Sequence, residues 1–282
     1  MKPTASPRRQ RGFSLVELVI TIAVMGVVAG FAAQLVGGIV AGQQDTRNRL
    51  NMALQVESAM GRVRDELNSA LPNSVRLASA SGGTWMEFVP VLDAGRYRQA
   101  PDLASGTPGD PWDPVDTADN RFDVLGVPLA TPSVEVQLVV ANLGSPDADV
   151  YLGTSRRGGV SVAVGGQQLR FQPVAPMPAA LGTSRFFLVT EPITVACVPD
   201  SAGSFSLVRY SGYGWQGVQP ASTAALGGVQ QAVLMQGLQR CSMTYSTALA
   251  NIGLLNLALG LGEAGGATHM DLLHQVALDN TP

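Results

Sequence analysis

The chain has 282 residues, 46% of them hydrophobic and 14% charged, with a net charge of −3; that is enough apolar mass for one sizeable core or two small ones and excludes a disordered chain. Lys2 is the only lysine, and nothing resembles a basic patch that would bind nucleic acid. The charge is uneven: residues 1–12 hold Lys2, Arg8, Arg9 and Arg11 and no acid, so their removal takes Lys+Arg from 18 to 14 against 21 acids, or −7.

After this basic start, Leu18 to Gln44 contains no charged residue, and its clearly polar members are Thr21, Gln34, Gln43 and Gln44. As a helix rising about 1.5 Å per residue it reaches roughly 40 Å, enough to cross a ~30 Å hydrocarbon core with some tilt. The basic residues before it, with the mixed set Asp45, Arg47 and Arg49 after it, predict one inner-membrane crossing with a cytoplasmic N-terminus and a periplasmic remainder. A cleavable secretory signal with its site near Gly30-Phe31-Ala32 fits poorly, because the apolar run continues past that site and Glu17 stands within it. An ionisable group there costs of order 1 to 3 kcal/mol depending on depth, so it needs a partner or a task. The plainer reading is an interfacial Glu favoured by the helix N-terminal dipole.

The residues Arg11-Gly12-Phe13-Ser14-Leu15-Val16-Glu17-Leu18 resemble the prepilin processing signature: a short basic leader, Gly before the cut, Phe after it and Glu at the fifth mature position. In this stretch the chain is similar to type IV pilin-like proteins and pseudopilins. The resemblance implies that a prepilin peptidase cuts after Gly12 and methylates the new amine of Phe13. Gly12 offers no side chain to hinder the cut. It also implies that Glu17 pairs with the Phe13 amine of a neighbouring subunit as the precursor leaves the lipid bilayer for a filament. A buried ammonium and carboxylate each cost several kcal/mol unless paired, so such a pair sets register more than it adds strength. The implied partners are other major and minor pilins and the inner-membrane assembly platform of a pilus.

Beyond the apolar run, Leu50, Ala53, Val56, Met60, Val63, Leu67 and Ala70 form one helical stripe. Arg62 and Glu66 are spaced to pair on the other face, and Pro72-Asn73 stop the helix after Leu71. Gly26/Gly30 and Gly38/Gly42 are each four apart, which permits close helix approach in lipid or a filament core; glycine being common in this chain explains them equally well. Many pilins carry a proline about twenty residues into the mature chain; here Gln34 and Gly37-Gly38 stand in that region.

After Pro72 come short β-like runs bounded by Gly, Pro, Asp and Ser: 84–92, 134–140, 160–164, 185–190, 193–198, 205–210, 229–234 and 242–245. A final hairpin is predicted from 254–261 and 270–278 about the turn Glu263-Ala264-Gly265-Gly266. The predicted fold class is thus α+β: a leader, 1–12; a transmembrane or filament-core half of the helix, 13–44; an amphipathic half, 45–71, packing on the head; and a periplasmic β-rich head of antiparallel strands, 72–282. Cys197 and Cys241 lie outside any CxxC or Cys/His spacing and read as a disulfide, the plainer alternative being two free buried thiols. In an extracytoplasmic head, closing that loop of about 44 residues stabilises by roughly 4 kcal/mol.

Chemistry is hard to find in the head. The stretch from Pro101 to Asp123 carries Asp110, Asp113, Asp116, Asp119 and Asp123; calcium is conceivable there, but the EF-hand order is absent and an acidic surface loop is the commoner explanation. His269 and His274 set no shared zinc face, Ser211 reads as turn chemistry, and no hydrolase, metalloprotease, P-loop or dinucleotide motif occurs. No cofactor and no enzymatic activity are expected. Phrases such as Ala70-Leu71-Pro72-Asn73-Ser74-Val75-Arg76, Met86-Glu87-Phe88-Val89-Pro90, Arg209-Tyr210-Ser211-Gly212-Tyr213-Gly214 and Leu272-Leu273-His274-Gln275-Val276 resemble the minor pilins of mannose-sensitive haemagglutinin (MSHA) pilus systems. That resemblance implies a low-abundance subunit that primes or caps assembly. J-type minor pseudopilins of type II secretion share the same start and a large β head. A membrane-anchored adhesin, its helix only a tether, is the reading from another class.

Overall fold

The computed structural model describes residues 13–281 apart from 105, 107, 164, 173–174, 179–182, 201–202, 227, 250–251 and 263–268. The leader with Gly12 and the predicted 263–266 turn therefore lie outside the described residues. The fold is α+β: helix α1, Leu15–Asn68, followed by antiparallel sheets. The chain divides into two units, 1–52 and 53–282.

The first unit is the N-terminal part of α1. Its apolar window has no buried residue. With apolar side chains all around the helix, no single stripe can be hidden against one partner.

The second unit begins within α1, where Val56, Met60, Val63 and Leu67 are almost completely buried at steps of four, three and four. Leu50, expected on the same stripe, is exposed. Glu66 also differs from expectation. Its carboxylate accepts from Arg209 Nε through both oxygens, at 2.9 and 3.0 Å, rather than pairing with Arg62 along the helix. The helix ends at Asn68, three residues before the predicted stop. Ser69 to Leu71 leave the helix because their main chain pairs elsewhere: Leu71 N–H donates to Val89 O (2.8 Å) and Val91 N–H donates to Ser69 O (2.8 Å). Pro72 also disfavours helical geometry at Leu71.

Among the described residues fourteen strands follow. They are β1 (Arg76–Ala80), β2 (Gly83–Phe88), β3 (Val91–Tyr97), β4 (Arg121–Leu125), β5 (Gln137–Val139), β6 (Arg156–Arg157), β7 (Ser161–Val162), β8 (Gln168–Arg170), β9 (Arg185–Val189), β10 (Ile193–Pro199), β11 (Phe205–Ser211), β12 (Gln230–Leu249), β13 (Ile252–Gly262) and β14 (His269–Asp279). One sheet has the order β1-β2-β10-β11-β12-β13-β14, the other β6-β5-β9-β3-β4-β8-β7. Two chain passages join them. β2 runs into β3 through Val89-Pro90, and β9 into β10 through Thr190-Glu191-Pro192; β2 pairs with β10 and β3 with β9. Proline cannot donate to a ladder, so both passages bend at the same level and change sheet there.

Two details explain the first sheet. The β1–β2 hairpin turns on Ser81 (φ 54°) and Gly82 (φ 75°), the two left-handed residues that a type I′ turn requires. β12 is one strand of 20 residues, but its register shifts on both sides of Leu238, next to Gly237 (φ 72°). Such bulges bend a strand. β12 accordingly touches β1, β2 and β10, which are not its ladder neighbours. The core of the second sheet is aromatic: Tyr97, Trp112, Phe122, Phe171 and Phe186 are buried together, with Trp112 edge-on to Tyr97 at 4.9 Å.

Candidate assembly site and the polar core of the head

Ser14 starts α1. Its Oγ accepts from Glu17 N–H at 3.2 Å and its carbonyl accepts from Leu18 N–H at 3.2 Å, so Ser14 is the N-cap. Ser14-Leu15-Val16-Glu17 has the spacing of a capping box. The serine is a residue the signature alone does not single out; the S-x-x-E spacing is the signal that finds it. Glu17 stands in the first turn, where the helix dipole favours a carboxylate. Phe13 precedes the helix and is 80% exposed. The start of α1 therefore presents an acid in the first turn and an uncovered apolar residue, while Leu15, Val16, Leu18, Val19 and Ile20 are exposed around it. Cβ atoms added at Gly26 or Gly30 would meet nothing within 4 Å, so no contact inside the chain requires glycine at either place.

Cys197 on β10 and Cys241 on β12 form a disulfide, with Cα atoms 5.6 Å apart. β11 lies between these strands in the ladder; the bond closes across it because β12 bends.

The head holds a buried ionic cluster. Glu87 on β2 has no exposed surface and receives Arg76 Nε at 2.5 Å; Tyr213 O–H donates to its other oxygen at 3.0 Å and contacts Thr194 Oγ1 at 2.8 Å. Arg76 also donates to the carbonyls of Gly217 (2.8 Å) and Gln216 (2.7 Å), and its guanidinium lies 3.6 Å from the Tyr151 ring centroid. Arg156 stacks on Trp215 at 4.1 Å. The effect is to strap the irregular segment 212–219 onto the sheets. Burial raises the Glu87 carboxyl above its ordinary value, partly offset by Arg76 and Tyr213. Burial likewise raises Tyr151 and Tyr213 and lowers Arg156. A glutamate inside Trp85-Met86-Glu87-Phe88 was the available signal, since a lone charge in an apolar strand needs a buried counterpart.

An asparagine cluster ties the helix exit to the chain end. Asn73, left-handed at φ 58°, donates from its main-chain N–H to Asn280 Oδ1 (3.2 Å) and from Nδ2 to the carbonyls of Asn142 (2.9 Å) and Asn280 (3.1 Å). Asn142 Nδ2 returns a bond to Pro72 O at 2.8 Å.

The Asp-rich stretch is ordered by its own contacts. Asp123, on β4, accepts from Arg98 Nε (3.3 Å) and Asp110 N–H (2.9 Å), and Asp110 pairs with Arg121 at 2.7 Å. Asp113 and Asp116 accept from main-chain N–H groups two residues on. Among the described residues no group of three or more potential metal ligands converges. Ser211 Oγ accepts from Arg209 Nη1 at 3.1 Å, and His274 is half-buried on β14.

Residues 7–33 match the family described as the prokaryotic N-terminal methylation motif. No curated protein and no solved structure matches the chain.

Proposed function

We propose, starting from that N-terminal methylation motif, that the chain is a minor pilin of an MSHA-like type IV pilus, of the MshO type. In this role it works as a structural subunit and not as an enzyme. Prepilin peptidase cuts at Gly12/Phe13, the apolar half of α1 anchors the mature chain in the inner membrane with its head in the periplasm, and the helix then passes into a filament of other pilins through the assembly platform. No cofactor takes part. One observation carries the reading: the methylation motif leads directly into a helix whose N-terminal part is apolar on every side, with no buried residue in its apolar window. Such a helix needs lipid or other helices around it.

Glu17 is the residue on which assembly turns. As the helix leaves the bilayer, the Glu17 carboxylate meets the Phe13 amine of a neighbour, and the cost of burying either charge alone selects the register in which both are paired. Glu17→Ala is expected to leave peptidase processing intact and to reduce incorporation into filaments by tenfold or more, about the effect of losing one buried partner. Wild-type head function from a Glu17→Ala chain that never enters a filament would instead favour a tethered adhesin. The J-type pseudopilin shares the helix logic and is separated by phenotype: deletion of the gene abolishes pili on the proposal and exoprotein release on the alternative.

A further inference from the structure

We infer that the outer edge of β14 is a strand-addition site for an extended segment of a different pilin-like subunit, a reading that rests on the assembly role proposed above. β14 is a terminal strand of its sheet, 11 residues long. Among the described residues no main-chain hydrogen bond leaves its outer edge. The opposite edge is served by the chain itself, since Gln219 Nε2 donates to the main-chain carbonyl of Arg76 on β1 at 3.3 Å.

Exposed strand edges are usually guarded by proline, a bulge or outward charges. β14 contains no proline and pairs with β13 without a break in register. Asp271 and Gln275 turn inward. A Cβ at Gly260 would collide with the Asp271 carboxylate and with Arg240, so Asp271 lies over the glycine toward β12. Gln275 Nε2 donates to Asn256 Oδ1 at 2.8 Å, and Asn256 Nδ2 donates to Thr244 Oγ1 at 3.3 Å. Between these two inward-leaning residues Leu273 is left 68% exposed.

The cross-strand rows define what an added strand must carry. On the solvent face the sheet reads Arg240–Gly260–Asp271, then Ser242–Ala258–Leu273, then Thr244–Asn256–Gln275. Side chains opposite one another in neighbouring strands interact directly. A strand laid beside β14 therefore places a basic residue next to Asp271, an apolar one next to Leu273, and a hydroxyl or amide donor next to Gln275, whose carbonyl oxygen is the open end of the amide ladder. A second copy pairing antiparallel about Gln275 would set Asp271 against Asp279 at both ends, a like-charge arrangement the sheet disfavours. In any register β14 has no Lys or Arg to set beside Asp271, so the occupant is an extended segment with alternating basic, apolar and donor side chains from another subunit.

The test places the photo-crosslinker p-benzoylphenylalanine at position 273 of the full chain in filament-assembling cells, with Val218, 86% exposed, as the comparison position, and adds the edge-guarding variant Leu273→Lys. The expected result is a crosslink from 273 to a strand segment of a different chain bearing its own N-terminal methylation motif, about tenfold above that from 218, and about tenfold lower incorporation of Leu273→Lys with N-methyl-Phe13 intact. Equal yields from 273 and 218, a crosslink only to a second copy, or wild-type incorporation of Leu273→Lys overturns the site. Should Leu273→Lys not fold, the crosslink from the 273 position decides alone. Failure of the unmodified chain to enter filaments counts against the pilin reading itself.

Discussion

Glu87 has no exposed surface, yet it keeps a carboxylate beside Arg76 and Tyr213. Burial raises its carboxyl above the ordinary 4.5, so the folded chain holds that proton more tightly than the unfolded one. The associated stability is fully present below about pH 4.5 and is lost as pH rises through the folded-state value. Unfolding free energy followed against pH is therefore expected to fall more steeply above pH 4.5 in the wild type than in Glu87→Gln; parallel curves would contradict the assignment. Asn280 offers a second check. Its replacement by Ala removes the Oδ1 acceptor of the Asn73 main-chain N–H and the donor to Tyr245 Oη, and leaving such part-buried groups unpaired costs about 1 to 3 kcal/mol, read as a lower unfolding midpoint. Neither residue was singled out for this from sequence. Glu87 meets Tyr213 from 126 positions away and Asn280 meets Asn73 from 207 positions away, and local spacing does not name partners so distant. Ser14 is legible from local spacing, since Glu17 stands three residues on and its N–H bonds the Ser14 hydroxyl.

The secondary-structure elements were read from sequence in proportion to their periodicity. The buried stripe of α1 and strands β9, β10, β11, β13 and β14 follow patterns of three-and-four or two that any apolar core imposes. β1, with Arg76-Leu77-Ala78-Ser79-Ala80, has little β propensity and exists because the Ser81-Gly82 turn folds it onto β2. The run expected over 84–92 is two strands, since Pro90 forces the change of sheet. The runs 229–234 and 242–245 are one strand, because a bulge beside Gly237 lets the ladder continue where the apolar pattern lapses. The Cys197–Cys241 bond belongs to this scale: it fastens β10 to the bent half of β12 across a sequence separation of 44. Its reduction, or a Cys197→Ser/Cys241→Ser double variant, is expected to lower head stability by roughly 4 kcal/mol, seen as a drop in denaturation midpoint without loss of the N-terminal helix. An unchanged midpoint would show that the unfolded chain gains nothing from release of that loop.

At the scale of the whole molecule, one chain combines a segment that no water-facing fold would leave exposed with a disulfide-bonded β-rich head. The two demand different surroundings, and in the proposed role the cationic start up to Gly12 separates the precursor from the form that can assemble. The claim on which the account rests is that cells remove this start at one bond. Mass spectrometry of the mature N-terminus tests it most directly. The account predicts a chain beginning at N-methyl-Phe13; a chain that keeps residues 1–12 in cells with an active prepilin peptidase, or that begins elsewhere, would contradict it.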